Sequence, residues 1–275
     1  MTRRDHYLQH FNDVFSDDCG GLLLNLPEWV RVGIGRRIQG GAITFASAVC
    51  PDYEHDGTTF TYRGLGDRLP FIAMRHLEVM EPVINRLKSR GVTADYHLLL
   101  ADLEADLPMI VEYLAGGSPE EFIRRCQKSC DALRAEAFRR EVPLARCERF
   151  STAFPEWATL YGQTLDRIRE EVRSNRTLTT ELETVAAKRN PYYRSQAGWR
   201  PLSTEDCLGL ALRHSAQYST WGECVTRLCG EDVVVINHAT INLARVNDPH
   251  FRRGRERIPI VQLNINTAPA SVPPA

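Results

Sequence analysis

Residues 42–53 read A-I-T-F-A-S-A-V-C-P-D-Y. The apolar and β-branched side chains at the start of this stretch predict a buried β-strand over residues 42–50. The strand runs directly into Cys50, Pro51 and Asp52. In open α/β sheets, ligands bind at the carboxyl ends of the strands. This turn is therefore either an ordinary strand exit or one edge of a binding site.

A helix and a second strand follow the first strand. Apolar residues recur with helical spacing from Pro70 onward, and Pro82 within this stretch predicts a kink or a restart of the helix. The run Y-H-L-L-L-A-D-L, residues 96–103, predicts another buried strand. A strand, a helix and a strand at this spacing form a βαβ unit with a parallel pair and a right-handed crossover. We therefore expect residues 50–52 and 102–104 to lie near each other at one sheet edge.

The later segments continue the alternation of helices and strands. S-P-E-E at residues 118–121 combines a serine N-cap, a first-turn proline and a glutamate at N3, and a mostly helical region is predicted from there to about residue 187. Another helix is predicted from Ser203 to about Cys229. V-V-V-I-N-H and R-I-P-I-V-Q-L-N-I-N then predict strands that join the first sheet.

This order of elements predicts an α/β fold, with a Rossmann-like, mostly parallel sheet and a helical insertion in the middle of the chain. A single domain over residues 1–266 accounts for all the strands, and the insertion covers about residues 118–229. The tail T-A-P-A-S-V-P-P-A, residues 267–275, is expected to be disordered.

The composition limits the class of protein. The 275 residues are 43% hydrophobic and 25% charged, which is typical of a soluble globular protein. A formal net charge of −1 gives no global attraction to nucleic acid or to a membrane. The first twenty residues lack the apolar region of a secretory signal, and no apolar run reaches the length of a spanning helix. We therefore expect a cytoplasmic protein without a membrane partner. The sequence does not indicate its oligomeric state.

The sequence predicts neither a metal site nor a cofactor. The eight cysteines form no C-x-x-C pair, so buried thiols are the expected state for most of them. Gly64 and Gly66 precede a helix, where backbone N–H groups favour anions. The segment G-L-G-D-R nevertheless lacks the full dinucleotide fingerprint and follows a long loop, not a strand.

Candidate substrate-binding residues surround the expected sheet edge. Asp102 and Glu104 close the second strand, where carboxylates bind an amino group or a cation, or simply mark a polar strand exit. Arg63 and Arg68, in the loop after the first strand, suit an anionic part of a substrate. Asn237, at the end of V-V-V-I, would orient a substrate in the same crevice.

Candidate catalytic residues lie in the same two regions. Asp52 and His55 belong to the loop after the first strand and are possible acid or base groups. His238 follows a late strand and would either move a proton or serve as a hydrogen-bonded core histidine. Cys50 is a possible nucleophile, but a packed thiol at a strand end is the simpler interpretation.

The predicted helix over residues 120–140 is rich in arginine. Its arginines alternate with acidic residues, which is typical of a solvated helical face with ion pairs. The alternative is a basic helix that follows the phosphates of a nucleic acid.

The run R-R-I-Q-G-G-A-I-T-F-A-S-A-V-C-P-D-Y, followed by L-G-D-R-L-P-F-I-A-M-R-H-L, is similar to the isocyanide (isonitrile) synthases related to dityrosine and pyoverdine biosynthesis proteins. In that family a strand leads into a loop, an L-G-x-L-P segment opens a helix, and the next strand ends in acidic residues. Residues 65–66 and 69–70 match the helix-opening segment, and Ala101-Asp102 matches the acidic strand end. V-V-V-I-N-H and I-P-I-V-Q-L resemble the family's closing strands, which carry a histidine.

The resemblance implies a biosynthetic transferase or lyase that acts on an amino acid or a similar amine-bearing small molecule, in the manner of natural-product enzymes. The acids would hold the amino group, an arginine would hold a carboxylate or phosphate, and a histidine would move protons. The family's Lys-Ser pair after the first strand is replaced here by Cys50-Pro51-Asp52. The resemblance therefore implies a related scaffold with an altered active-site loop.

Two alternatives stay open. The transfer-RNA-dependent cyclodipeptide synthases also show a strand, an arginine-rich helix and a late helix with Tyr and Glu. This chain lacks their glycine-x-serine start and their Tyr-x-x-x-Glu spacing, so transfer RNA is a possible but less favoured partner. The other alternative is a ligand-binding or scaffold protein that catalyses no reaction.

Overall fold

The computed structural model describes residues 2–15, 22–23, 26–49, 53–55, 60–62, 71–102, 118–195, 203–230, 232–237 and 260–263. The helices in these ranges are α1 (Arg3–Val14), α2 (Glu28–Gln39), α3 (Phe71–Ser89), α4 (Pro119–Arg139), α5 (Phe150–Ala153), α6 (Trp157–Ser174), α7 (Arg176–Ser195) and α8 (Thr204–Cys229). The strands are β1 (Leu22–Leu23), β2 (Ala42–Val49), β3 (Tyr53–His55), β4 (Phe60–Tyr62), β5 (Thr93–Leu100), β6 (Leu144–Arg149), β7 (Val233–Asn237) and β8 (Ile260–Leu263).

The main sheet has the strand order β1-β8-β7-β2-β5-β6. The strands from β8 to β6 are parallel, and β1 pairs antiparallel with β8. β3 and β4 form a separate antiparallel pair. Numbered along the chain, the parallel strands β6-β5-β2-β7-β8 follow the order 3-2-1-4-5 of a doubly wound Rossmann-type sheet. The predicted α/β, Rossmann-like fold is confirmed.

The predicted βαβ unit is present, with β2, α3 and β5 in place of the strand, helix and strand. β2 and β5 are parallel and Val49 is the register partner of Leu100, so the two strands end side by side. Pro82 lies inside α3, which runs as one helix from Phe71 to Ser89. The helix continues because the burial of its apolar stripe, including Met80 and Val83, outweighs the hydrogen bond that proline removes.

The sequence did not predict β6, nor the short strands β1, β3 and β4. Residues 144–149 read L-A-R-C-E-R, and Cys147 is the residue of this strand that is fully buried. An edge strand with such polar side chains lacks the apolar alternation of a buried strand. The segment predicted as a helical insertion, about 118–229, therefore contributes one strand to the main sheet. The tail at residues 267–275 lies outside the described residues.

Helices cover the sheet on both faces. On the first face, Phe45 of β2 and Leu98 of β5 belong to a core that includes buried residues of α1 to α4. On the second face, Ala46, Leu99 and Val235 belong to a core that includes residues of α5, α6 and α8. Side chains alternate along a strand, so each strand contributes to both cores.

Candidate functional site

The direction of winding reverses between β2 and β7. From β2 the chain continues through α3 to β5 on one side, whereas it reaches β7, on the other side of β2, only after α8. In sheets of this kind a crevice opens at the reversal, outside the carboxyl ends of the two strands. Here β2 ends at Val49 and β7 ends at Asn237. We call this region the switch-point crevice.

Asn237 is a predicted binding residue that the topology brings to this crevice. Its neighbours Val233 and Val235 pack in the core of the second face, so alternation places Asn237 on that face as well. Its side chain is half-buried and makes no hydrogen bond within the described residues. Continuing the register from Ala46 and Val235 places Asn237 opposite Ala48.

Asp102 lies just after β5, and its carboxylate accepts hydrogen bonds from neighbouring protein groups. The residue is 4% exposed. Its Oδ2 accepts hydrogen bonds from Nη1 of Arg149 at 3.0 Å and from the hydroxyl of Ser151, and its Oδ1 accepts from the backbone N–H of Ser151 at 3.1 Å. The carboxylate therefore ties the end of β5 to the end of β6 and the start of α5. Its capacity to hold a ligand's amino group is limited to what remains on Oδ1.

The other predicted site residues have no described side-chain geometry. The backbone of His55 pairs with Phe60 in the β3–β4 hairpin, which contacts α3. The remaining predicted residues lie outside the described residues, and their roles stay predictions: Asp52, Arg63, Arg68, Glu104 and His238.

A chain of buried polar side chains crosses the first face, and no motif in the sequence marks it. The hydroxyl of Tyr96 on β5 donates to the hydroxyl of Ser47 on β2 at 3.0 Å, and lies 3.4 Å from Nδ1 of His76 on α3. All three residues are fully buried. Burial raises the pKa of Tyr96, so its hydroxyl keeps its proton and acts as a donor. Ser47, a polar residue buried in a mostly apolar strand, is the hint that the sequence offers.

α8 also carries buried polar residues. The hydroxyls of Ser215 and Thr220 donate to backbone carbonyls one turn earlier in the helix, at 2.7 and 2.8 Å. Gln217 lies between them, is likewise buried, and has no such bond within the described residues.

The arginines of α4 are engaged by acidic residues one turn away. Glu121 pairs with Arg124 and Arg125 at 2.6 and 2.7 Å, and Glu136 pairs with Arg139 at 2.6 Å. These partners lower the pKa of both glutamates to about 2. The arrangement is that of a solvated helical face with ion pairs.

Within the described ranges, no group of three or more His, Cys, Asp or Glu residues is arranged to hold a metal ion. Cys126, Cys130, Cys147 and Cys224 are buried and form no disulfide within the described ranges, in line with the buried thiols predicted for most of the cysteines. No helix in the same ranges is both long and apolar enough to cross a membrane.

No family model matches the chain, and no curated protein matches its sequence. The function must therefore be argued from the sheet topology and from the residues at its carboxyl edge.

Proposed function

We propose that this protein is a biosynthetic enzyme that binds an amino acid or a similar amine-bearing small molecule in the switch-point crevice. The observation that carries the proposal is the strand order β6-β5-β2-β7-β8, which reverses between β2 and β7. Sheets with this reversal bind small ligands outside the carboxyl ends of the strands at that point. Because a fold alone does not determine chemistry, the type of substrate has to come from the residues.

Polar residues at this edge support a small polar substrate. Asn237 offers an amide that has no hydrogen bond within the described residues, and Arg149 is fixed beside the edge by Asp102. In the proposed reaction, Glu104 and the remaining capacity of Asp102 hold the amino group. Arg63 or Arg68 holds a carboxylate or phosphate.

In this proposal His238 or His55 transfers the proton, and Asp52 is a further acid or base. The reaction is of transferase or lyase type, on a scaffold similar to that of the isocyanide synthases and with an altered loop at Cys50-Pro51-Asp52.

We do not expect α4 to bind nucleic acid. Phosphate binding needs cationic groups that exchange counterions for phosphates. The described contacts of the α4 arginines pair them with Glu121, Asp131 and Glu136 on the same helix. These ion pairs support a small-molecule substrate over transfer RNA.

The test is native mass spectrometry of the protein as purified from its expression host, followed by thermal unfolding with pools of L-amino acids and simple amines. Binding to the folded state raises Tm. We expect an amine-bearing small molecule to co-purify or one pool to raise Tm, with little dependence on salt. Co-purified transfer RNA, with binding that weakens steeply with salt, would overturn the proposal. So would the absence of any amine-bearing ligand in both measurements.

A further inference from the structure

α1 carries two histidines whose ring nitrogens meet. His6 and His10 stand four residues apart, so they share one face of the helix. Their Nε2 atoms are 3.2 Å apart, whereas their ring centroids are 4.5 Å apart. The two rings therefore lean towards each other at their Nε2 ends. Both residues are half-buried, so solvent reaches the pair.

The separation of the two nitrogen atoms suits a shared metal ion. Two imidazole nitrogens 3.2 Å apart share either one proton, in an N–H···N hydrogen bond, or one metal ion. Zn–N bonds are about 2.0–2.1 Å long, so two ligands of a tetrahedral zinc ion lie about 3.3 Å apart. At similar bond lengths, neighbouring ligands of a square-planar Cu²⁺ or Ni²⁺ ion lie about 2.9 Å apart. The observed separation falls between these two values.

The helix holds the two rings in position before any metal binds. A capping box closes its first turn: Oγ1 of Thr2 accepts from the backbone N–H of Asp5 at 3.2 Å, and Oδ2 of Asp5 accepts from the backbone N–H of Thr2 at 2.8 Å. Phe11, next to His10, is buried in the core of the first face. A metal ion therefore meets two ligands that are already ordered, which favours binding.

The type of ligand selects the class of metal. Imidazole nitrogens suit Zn²⁺, Cu²⁺ and Ni²⁺, whereas Mg²⁺ and Ca²⁺ prefer oxygen ligands. In the part of the chain that the structure describes, no third His, Cys, Asp or Glu is arranged to complete a metal site with the pair. Water would therefore occupy the other coordination positions.

We propose that His6 and His10 form a binding site for one Zn²⁺, Cu²⁺ or Ni²⁺ ion, with water as the remaining ligands. Both Nε2 lone pairs bind the metal, so the imidazole that held its proton on Nε2 carries it on Nδ1 instead. The site is independent of the function proposed for the switch-point crevice.

Nδ1 of His6 limits the strength of this site. It is buried and has no hydrogen-bond partner among the described residues. Metal-binding histidines usually donate their other ring N–H to a protein group, and this second contact strengthens the site. We therefore expect the metal to exchange readily and to be removed by EDTA.

The first test is isothermal titration calorimetry of the intact protein with Zn²⁺, after treatment with EDTA and removal of the chelator. We expect the wild type to bind Zn²⁺ and the affinity of this site to fall at least about tenfold in His10→Gln, because loss even of a second-shell partner costs about 10–100-fold. Mg²⁺ should show no binding that depends on His10. Equal Zn²⁺ binding by the wild type and His10→Gln, or none by the wild type, would overturn the inference.

The matched control moves the second histidine to another face of α1. His10→Gln combined with Asn12→His keeps all eight histidines of the count, but position 12 does not share a face with His6. Asn12 is exposed, so the helix tolerates the change. We expect the double variant to bind Zn²⁺ as weakly as His10→Gln, and Asn12→His alone to bind like the wild type. Full affinity in the double variant would show that the pair is not the site.

The second test identifies the ligands directly and does not depend on a variant that folds. In the EPR spectrum of the wild type with one equivalent of Cu²⁺, each imidazole nitrogen bound to the metal splits the signal. We expect coupling to two imidazole nitrogens in the wild type and to one fewer in His10→Gln. A wild-type spectrum without coupling to two imidazoles would show that His6 and His10 only hydrogen-bond to each other, and would overturn the inference.

Discussion

Asp102 is a predicted substrate-binding residue, and in the structure it also forms a buried ion pair with Arg149. It is buried, and its ion pair with Arg149 is 3.0 Å long. Breaking a buried pair leaves the partner charge without compensation, so we expect Asp102→Ala to lower the free energy of unfolding by about 3 kcal/mol. Urea unfolding measures this loss. The variant should also weaken ligand binding, because Arg149 and Ser151 lose their anchor at the crevice.

The control is Asp131→Ala, which removes an exposed pair with Arg134. Exposed pairs contribute about 0–1 kcal/mol, so this variant should stay close to the wild type. Equal losses for the two variants would show that burial of Asp102 has no energetic effect. Unchanged ligand affinity in Asp102→Ala would show that Asp102 takes no part in ligand binding.

Because His97 on β5 is buried, we expect the stability of the protein to depend on pH. The residue is buried and its Nδ1 has no hydrogen-bond partner within the described residues. Burial, followed by the nearby charge of Arg146, lowers the pKa of His97, although Asp95 and Glu148 act in the opposite direction. The unfolded state, with a pKa near 6.5, then binds the proton more readily, so stability is complete above about pH 6.5 and falls as the pH drops below it.

His97→Gln removes this titrating group. We expect the free energy of unfolding of the wild type to fall more steeply than that of the variant between about pH 7 and pH 5, as measured by urea unfolding at each pH. Identical pH profiles for the two proteins would show that His97 is not responsible.

The close packing of α1 against α2 requires a glycine at position 35. A Cβ added at Gly35 would lie 1.9 Å from the backbone oxygen of Tyr7, so any side chain there forces the two helices apart. We expect Gly35→Ala to destabilise the protein by about 2–4 kcal/mol, an overpacking effect against rigid backbone. Chemical denaturation provides the measurement.

Gly162 on α6 provides the control, because a Cβ there would have no atom within 4 Å. Alanine is the better helix former, so Gly162→Ala should be neutral or stabilising by up to about 1 kcal/mol. A similar loss for both alanine variants would contradict the close contact between α1 and α2.

The elements differ in how far the sequence could predict them. β2, β5 and β7 carry apolar runs, and α4 and α8 begin at serine N-caps whose side chains accept the expected backbone hydrogen bonds, so local signals were sufficient. β6 could not be predicted in this way. Its side chains are mostly polar, and it is a strand because it pairs with β5.

The whole sheet depends on contacts that are distant in sequence. β7 pairs with β2, and Ala46 faces Val235 across that pair. No local pattern specifies this pairing, so the sequence predicted a parallel sheet but not the point at which its winding reverses. The same holds for the site. Asn237 can be predicted from its place at a strand end, whereas the buried contacts among Tyr96, Ser47 and His76 become recognisable only when β2, β5 and α3 are packed together.

Hydrogen exchange on the intact protein tests the central claim, that a small amine-bearing ligand binds at the switch-point crevice. Amide exchange is followed by mass spectrometry with and without an equimolar mixture of the L-amino acids and their amides. The account predicts protection at the ends of β2 and β7, and no change in α1, α2 or α4. Protection confined to α4, or no protection anywhere, would contradict it.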